Sequence, residues 1–386
     1  MPNVVTRHPF TRDLAAVTGL VALAVVAAAF WTSPPQWKPD SLFYQAHAYQ
    51  VEGDSHTIAY RKAFAGPLAL ERREFELALP VARHRVTNPA WVRYSERFYE
   101  RRWFVPAAAA LLSPVYATDS LRVTSLVFYV LLGAALYVLL RLRANRAVSV
   151  LVSGGALLLA PVLVVAGQPL MDVCGATLET IAAAGAMLAL ERGLGWLALW
   201  VAALVALSLT RDSSVILVLA AVWLALRERS RKTLLLAVAG VAAATPVPLA
   251  LGAPVREAMA YTFSGFDRPR DASWGWIASQ YWPNIRSLVR HNLIYLQTHP
   301  FTALYLVGGY LALFVVRSHG DRFVRFFRAA AVGSIALDAF QPNYTAFRLE
   351  LMFVPIAAAG LAVGLTALRD VAVATRLSRA EGTGRT

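Results

Sequence analysis

Residues 121–146 read LRVTSLVFYVLLGAALYVLLRLRANR. As a helix, a block of about 20 mostly apolar residues reaches roughly 30 Å, the thickness of a bilayer's hydrocarbon. The block 121–140 has that length, and it ends abruptly at Arg141, with Arg143 and Arg146 behind it. Nine more blocks read the same way: 14–32, 148–168, 172–190, 194–210, 213–226, 233–252, 301–316, 329–341 and 350–368. The expected fold class is therefore all-α: a polytopic transmembrane helix bundle of about ten spans, one domain over 1–386.

Composition agrees. Of 386 residues, 58% are hydrophobic and 16% charged, whereas soluble domains carry about 25% charged residues. The net charge of +14, from 37 Lys+Arg against 23 Asp+Glu, would suggest nucleic acid in a soluble chain. Short cytoplasmic loops of membrane proteins collect the same charge, so no nucleic-acid partner is expected and the lipid bilayer is. The one cysteine, Cys174, lies inside an apolar block and allows no disulfide within the chain. The run Leu14–Trp31 follows Arg7 and Arg12 and is longer than the core of a signal peptide, so it reads as a retained first span.

Orientation follows from basic residues in short loops. Arg141, Arg143 and Arg146 form one cluster; Arg227, Arg229, Arg231 and Lys232 a second; Arg317, Arg322, Arg325 and Arg328 a third; Arg369, Arg376, Arg379 and Arg385 occupy the tail, 369–386. All fall on the cytoplasmic side if both termini are cytoplasmic, 104–116 does not span, and 194–226 turns at Arg211-Asp212. The expected location is a cell membrane, multi-pass. Residues 33–120 become a long extracytoplasmic first loop with surface-lying helices, and 253–300 a second one. Trp91, Tyr94, Phe98 and Val105 fall at helical spacing with Arg93, Arg97, Arg101 and Arg102 interleaved. That is the pattern of a helix lying on a membrane surface, with its arginines against lipid phosphates or merely anionic headgroups. Trp274, Trp276, Tyr281 and Trp282 read as an interfacial belt, or as a platform for sugar rings.

Soluble-enzyme signatures are missing: there is no GxxxxGK[ST], HExxH, GxSxG or CxxC. The seven histidines form no tight ligand pair. What remains is a convergence of polar groups on the outer face: Asp40, Gln168, Asp172, Arg211, Asp212, Asp338, Arg348 and Glu350. Ionisable groups buried centrally in apolar helices cost about 2.5–3.5 kcal/mol each and mark sites or pairs. Asp40, behind Pro39, reads either as a helix cap or as a carboxylate placed to take a proton. Arg211-Asp212 reads as a hairpin ion pair or a binding element, and Arg348 with Glu350 as a boundary anchor or the same.

In order and type, the chain resembles the GT-C class of membrane glycosyltransferases, which use polyprenyl-phosphate sugars. The resemblance covers about residues 14–368. It rests on Pro39-Asp40-Ser41-Leu42-Phe43-Tyr44 after the first span and Tyr99-Glu100-Arg101-Arg102-Trp103-Phe104-Val105-Pro106 closing the first loop. It rests further on an apolar helix ending at Arg141, Thr210-Arg211-Asp212 in mid-chain, and Phe347-Arg348-Leu349-Glu350 with Pro355 near the end. The chain departs from the class in three ways. No acid directly follows Asp40, Leu349 stands where a Tyr is usual, and no sizeable soluble domain follows the last span.

The resemblance implies Asp40 as general base, deprotonating an acceptor hydroxyl. It implies Arg348 and Arg211, backed by Arg101 or Arg102, on the donor phosphate, where arginine makes two-pronged contacts. Asp172 would orient Arg211 or meet sugar hydroxyls, and Tyr44, His47, Asp54 and Glu350 would line the pocket. The implied partners are a polyprenyl-phosphate sugar donor and a glycan, lipid or protein acceptor. No cofactor is expected; a divalent metal stays open if Asp40, Asp54 and Asp172 converge. The rival expectations are a lipid or solute transporter or flippase, which would show internal repeats, and a non-catalytic membrane subunit.

Overall fold

A computed structural model describes residues 9–32, 37–69, 80–269, 272–316, 320–342 and 349–383. Arg72, Arg73, Arg317, Arg348 and Arg385 lie outside the described residues. The described chain is all-helical. A first helix, α1 (Pro9–Trp31), leads to an outer layer of four: α2 (Pro39–Val51), α3 (His56–Ala69), α4 (Pro80–Thr87) and α5 (Pro89–Glu96). Then come α6 (Phe104–Tyr116), α7 (Ser120–Leu140), α8 (Arg146–Leu157), α9 (Ala160–Ala166), α10 (Asp172–Glu191), α11 (Leu197–Ser208) and α12 (Ser214–Glu228). The last seven are α13 (Arg231–Ala244), α14 (Pro246–Leu251), α15 (Val255–Phe263), α16 (Trp274–Thr298), α17 (Pro300–Val315), α18 (Arg322–Phe340) and α19 (Phe353–Thr383).

The molecule is a membrane-embedded helical protein. Among the described residues five helical stretches are long and apolar enough to cross, or seven if each of two bent pairs counts as one crossing. About ten were expected. The shortfall has three sources. The expected span 148–168 is two helices, α8 and α9, bent by 60° just before Pro161. Residues 194–226 are two short helices around a turn at 209–213, as the charges required, but they are only about 18 Å and about 22 Å long. The helix α18 starts with Arg322, Arg325 and Arg328, so only its second half is apolar.

Residues 104–140 form an unbroken helical stretch by hydrogen bonding, yet they are not one rod. Ala117 takes φ 45°, outside the helical range, just after Pro114. The chain reverses there, so the Phe104 ring meets Phe128 at 6.2 Å. Helix α6, about 20 Å long, is therefore folded against α7.

Charge sorts the two ends of the bundle. At one end Arg143 pairs with Glu191 and with Asp321 (3.2 Å), tying the ends of α7 and α10 to the start of α18. Glu228 at the end of α12 takes Arg322 (2.7 Å) and Arg325 (3.2 Å). Arg328 covers the last carbonyls of α17, those of Leu313 (2.5 Å) and Val316 (2.6 Å). Three of the basic clusters read from the sequence thus share one end, opposite the start of α10.

The outer layer differs from expectation. Residues 41–48 of α2 are all buried, because SLFYQAHA carries no formal charge and packs between α3, α6 and residues 99–103. The expected surface helix over 91–105 is broken between Glu96 and Phe104, and it faces protein. Trp91 donates its indole N–H to the Phe266 carbonyl (2.8 Å), Phe98 stacks on Tyr261 (4.1 Å), and Arg97 pairs with Glu257. Helical spacing identifies an apolar face but not what covers it. The segment 253–300 is likewise mostly helix, α15 and α16. Trp276 packs toward Met259 and Phe263, Tyr281 donates to the Ala339 carbonyl (2.7 Å), and Trp274 and Trp282 are exposed.

Small residues let α17 and α19 approach closely. A Cβ at Gly360 would overlap the Gly309 carbonyl, and one at Gly309 would overlap that of Ala357. Transmembrane helices associate through such contacts. Gly360→Val should lower stability by about 1–3 kcal/mol, read as a drop in the midpoint of thermal unfolding of the detergent-purified protein. An unchanged midpoint would mean that this contact is not made.

Candidate functional site

The segment 97–103 docks along one face of α2. Asp40, Tyr44 and His47 stand at i, i+4 and i+7, hence on one stripe, and each receives one residue of the segment. Tyr99 donates its hydroxyl to Asp40 Oδ1 (2.9 Å). Arg102 donates from Nη1 to the Tyr44 hydroxyl (2.8 Å). Trp103 stacks on the His47 ring, centroids 4.3 Å apart and planes 9° apart. The Arg102 guanidinium also lies over the Tyr99 ring at 5.0 Å. At the start of α2, the Ser41 hydroxyl accepts from the Lys38 N–H (3.3 Å). Asp40 thus stands in the first turn, where the helix dipole favours a negative charge.

The next residues carry this docking into the bundle. Arg101 pairs with Asp212, and the Phe104 N–H reaches the Leu209 carbonyl (3.2 Å). The outer segment is thereby fixed to the α11–α12 turn. In that turn Arg211 ignores its neighbour Asp212 and reaches Asp172, Nη1 to Oδ1 2.5 Å. Asp172 opens α10 and is 2% exposed. Arg211 lies across α10 because Gly175 leaves a notch: a Cβ there would stand 2.7 Å from Arg211 Cδ. Two turns below Asp172 on the same helix, Glu179 is buried, and Arg211 and Ser213 are near it.

Three guanidinium groups, Arg101, Arg102 and Arg211, therefore meet three carboxylates, Asp40, Asp172 and Asp212, at one end of the bundle. Burial, and then the nearby Asp40 charge, push the Tyr99 phenol well above its ordinary pKa. Tyr99 so remains a donor to Asp40. Burial pulls the His47 imidazole down to about 4, so at neutral pH it is an uncharged ring against Trp103.

Of the residues proposed from sequence, Asp40, Tyr44, His47, Arg101, Arg102, Asp172 and Arg211 come together. Asp54 does not. It follows the far end of α2, about 20 Å of helix from Asp40, and pairs with Lys62 (2.7 Å). The proposed convergence of Asp40, Asp54 and Asp172 does not form: among the described residues no group of three or more His, Cys, Asp or Glu side chains could hold a metal ion. Glu350 belongs to a 3-10 turn, Leu349–Met352, that packs against α10; Arg348 lies outside the described residues. Tyr99, Trp103, Gly175 and Glu179 had no assigned place, and Asp212, read with its neighbour Arg211, pairs with Arg101 instead. Tyr99 and Trp103 flank Arg101-Arg102, so proximity to the arginines was their only signal.

No family model matches the chain, and no curated protein matches it.

His47 leads to a pH dependence of stability. The unfolded chain protonates His47 near pH 6.5, but the folded chain holds it neutral to about 4. The unfolded state binds more protons between those values, so stability falls as pH falls through that window. Between pH 7 and pH 5 the loss should be about 2 kcal/mol. His47→Phe keeps a ring on Trp103 and should flatten that part of the profile. Thermal unfolding of both proteins at pH 7 and pH 5 checks this; equal slopes would mean that His47 is not held neutral.

Proposed function

We propose that this chain is a glycosyltransferase of the cell membrane. It moves a sugar from a polyprenyl-phosphate donor to a glycan, lipid or protein acceptor at the extracytoplasmic face. The chain crosses about ten times, short helices included, with both termini cytoplasmic. The observation that carries the proposal is the docking of 99–103 on α2. It puts a carboxylate, Asp40, beside Arg102 and in one cluster with Arg101 and Arg211.

In the reaction the acceptor oxygen attacks the anomeric carbon of the donor sugar. Asp40 takes the acceptor's proton as the new C–O bond forms. The bond from the anomeric carbon to the phosphate oxygen breaks, and polyprenyl phosphate leaves with the electron pair. It is already a stable anion, so it needs guanidinium groups rather than an acid. Arg211 and Arg348 are assigned to it, with Arg101 and Arg102 behind them. The short helices support a lipid-linked substrate. At about 18 Å and about 22 Å, α11 and α12 fall short of the roughly 30 Å of hydrocarbon, so the turn holding Arg211 stands below the outer boundary. A phosphate on a lipid tail can meet it there.

One observation favours a second reading. Three arginines against three aspartates leave no spare charge among the described groups. A non-catalytic subunit that uses the cluster only to clamp its outer layer would look the same.

Deletion of the gene, followed by mass spectrometry of envelope glycans and glycolipids, separates the two. Complementation uses wild type or Asp40→Asn at matched membrane abundance. The transferase reading expects one sugar to vanish, to return with wild type, and to stay missing with Asp40→Asn, whose turnover should fall about 10²–10⁴-fold. Full restoration by Asp40→Asn would remove the base. No change in any glycan, with or without the gene, would leave the clamp.

A further inference from the structure

At the bundle end remote from this cluster, the start of α1, the end of α7 and the start of α8 enclose an open depression of about 370 Å³. Its walls are Arg12, Asp13, Arg141, Asn145, Arg146 and Ala147. Three guanidinium groups face one carboxylate. That carboxylate is already engaged: Asp13 receives the Tyr137 hydroxyl and lies 3.2 Å from Arg141 Nε. Arg141 is held in place, since its Nη1 also donates to the Ala144 carbonyl (2.7 Å). Arg12 and Arg146 are exposed and have no hydrogen bond or salt bridge among the described residues. Asn145 caps α8 by accepting from the Val148 N–H (3.0 Å), so the positive end of that 12-residue helix opens on the same depression.

The surroundings decide which anion fits. Helix α1 lies on the outside of the bundle, long and apolar enough to cross a membrane yet mostly unburied. On α1 the side chains of Leu14, Val25, Val26 and Phe30 are exposed, and on α8 that of Leu151 is. A charged depression thus borders an apolar helix surface that is left uncovered by the bundle. A soluble anion would use only the charged part.

We propose that this depression binds the phosphate of an anionic phospholipid. The guanidinium groups of Arg12 and Arg146 would hold the headgroup from two sides, over the fixed Arg141. The acyl chains would lie along the exposed apolar surface of α1. Basic pockets between transmembrane helices are suited to such headgroups, and paired guanidinium groups to phosphate oxygens. The lipid would pin α1 to α7 and α8.

The test uses the full chain, purified in neutral detergent. Phosphatidylglycerol and phosphatidylcholine of the same chain length are titrated in turn, with thermal unfolding and native mass spectrometry as readouts. The expected result is at least about tenfold tighter binding of phosphatidylglycerol, equivalent to about 1.4 kcal/mol, with a matching rise in unfolding midpoint. Arg12→Gln/Arg146→Gln should lose this preference and keep the midpoint seen in phosphatidylcholine, since both side chains are exposed and unpaired. Arg192→Gln/Arg229→Gln removes equal charge from exposed residues elsewhere and should keep the preference. Three results would overturn the proposal: no lipid preference in the wild type, equal loss in both double variants, or the full midpoint rise with inorganic phosphate alone.

Discussion

Charge is expensive in hydrocarbon, and this chain's charges accordingly gather at the two ends of its bundle, where they cross-link helices. Arg143 alone joins three elements, through Glu191 and Asp321. Glu228 joins α12 to α18 through two arginines. At the other end Arg211 and Asp172 tie the α11–α12 turn to α10. The helices between them are held by small-residue contacts, as at Gly309 and Gly360, where side chains would only keep the backbones apart.

The outer layer depends on the same end. Helix α2 has no formal charge over its buried stretch, and it would have no reason to lie over a membrane protein by itself. It is held there by the segment 99–103, which takes Asp40, Tyr44 and His47 in succession. That segment is anchored in turn by Arg101 on Asp212 and by the Phe104 N–H on Leu209. The Asp40 carboxylate and the arginines of the bundle are brought together by this one docking. A shift of α2 would separate them.

The electrical balance of the cluster bears on what it does. Each guanidinium has a carboxylate or a phenol near it, so an arriving phosphate would compete with a partner already in place. Arg211 is the group best set for such an exchange, because Asp172 and Glu179 flank it along one face of α10. Release from one acid toward a phosphate leaves the other acid close by. Arg102 is different: its direct contacts are the Tyr44 hydroxyl and the Tyr99 ring, while the Asp40 and Asp212 charges act on it from nearby.

The amino-acid sequence by itself determined the class of fold, the residues at each bundle end and the turn at Arg211-Asp212. Apolar block length and the placement of arginines are local properties set by the bilayer, and a bilayer imposes them on any chain. The spacing of Asp40, Tyr44 and His47 on one stripe is local too. Only the tertiary structure decided what covers each stripe. Trp91 and Phe98 face Phe266 and Tyr261 rather than lipid, Arg211 chooses Asp172 over its neighbour, and Asp54 turns to Lys62. Those choices join residues far apart in the chain, and no periodicity records them. The fold-back at Ala117 is of the same kind: 104–116 and 121–140 read as two apolar stretches, and one residue with a positive φ makes them antiparallel.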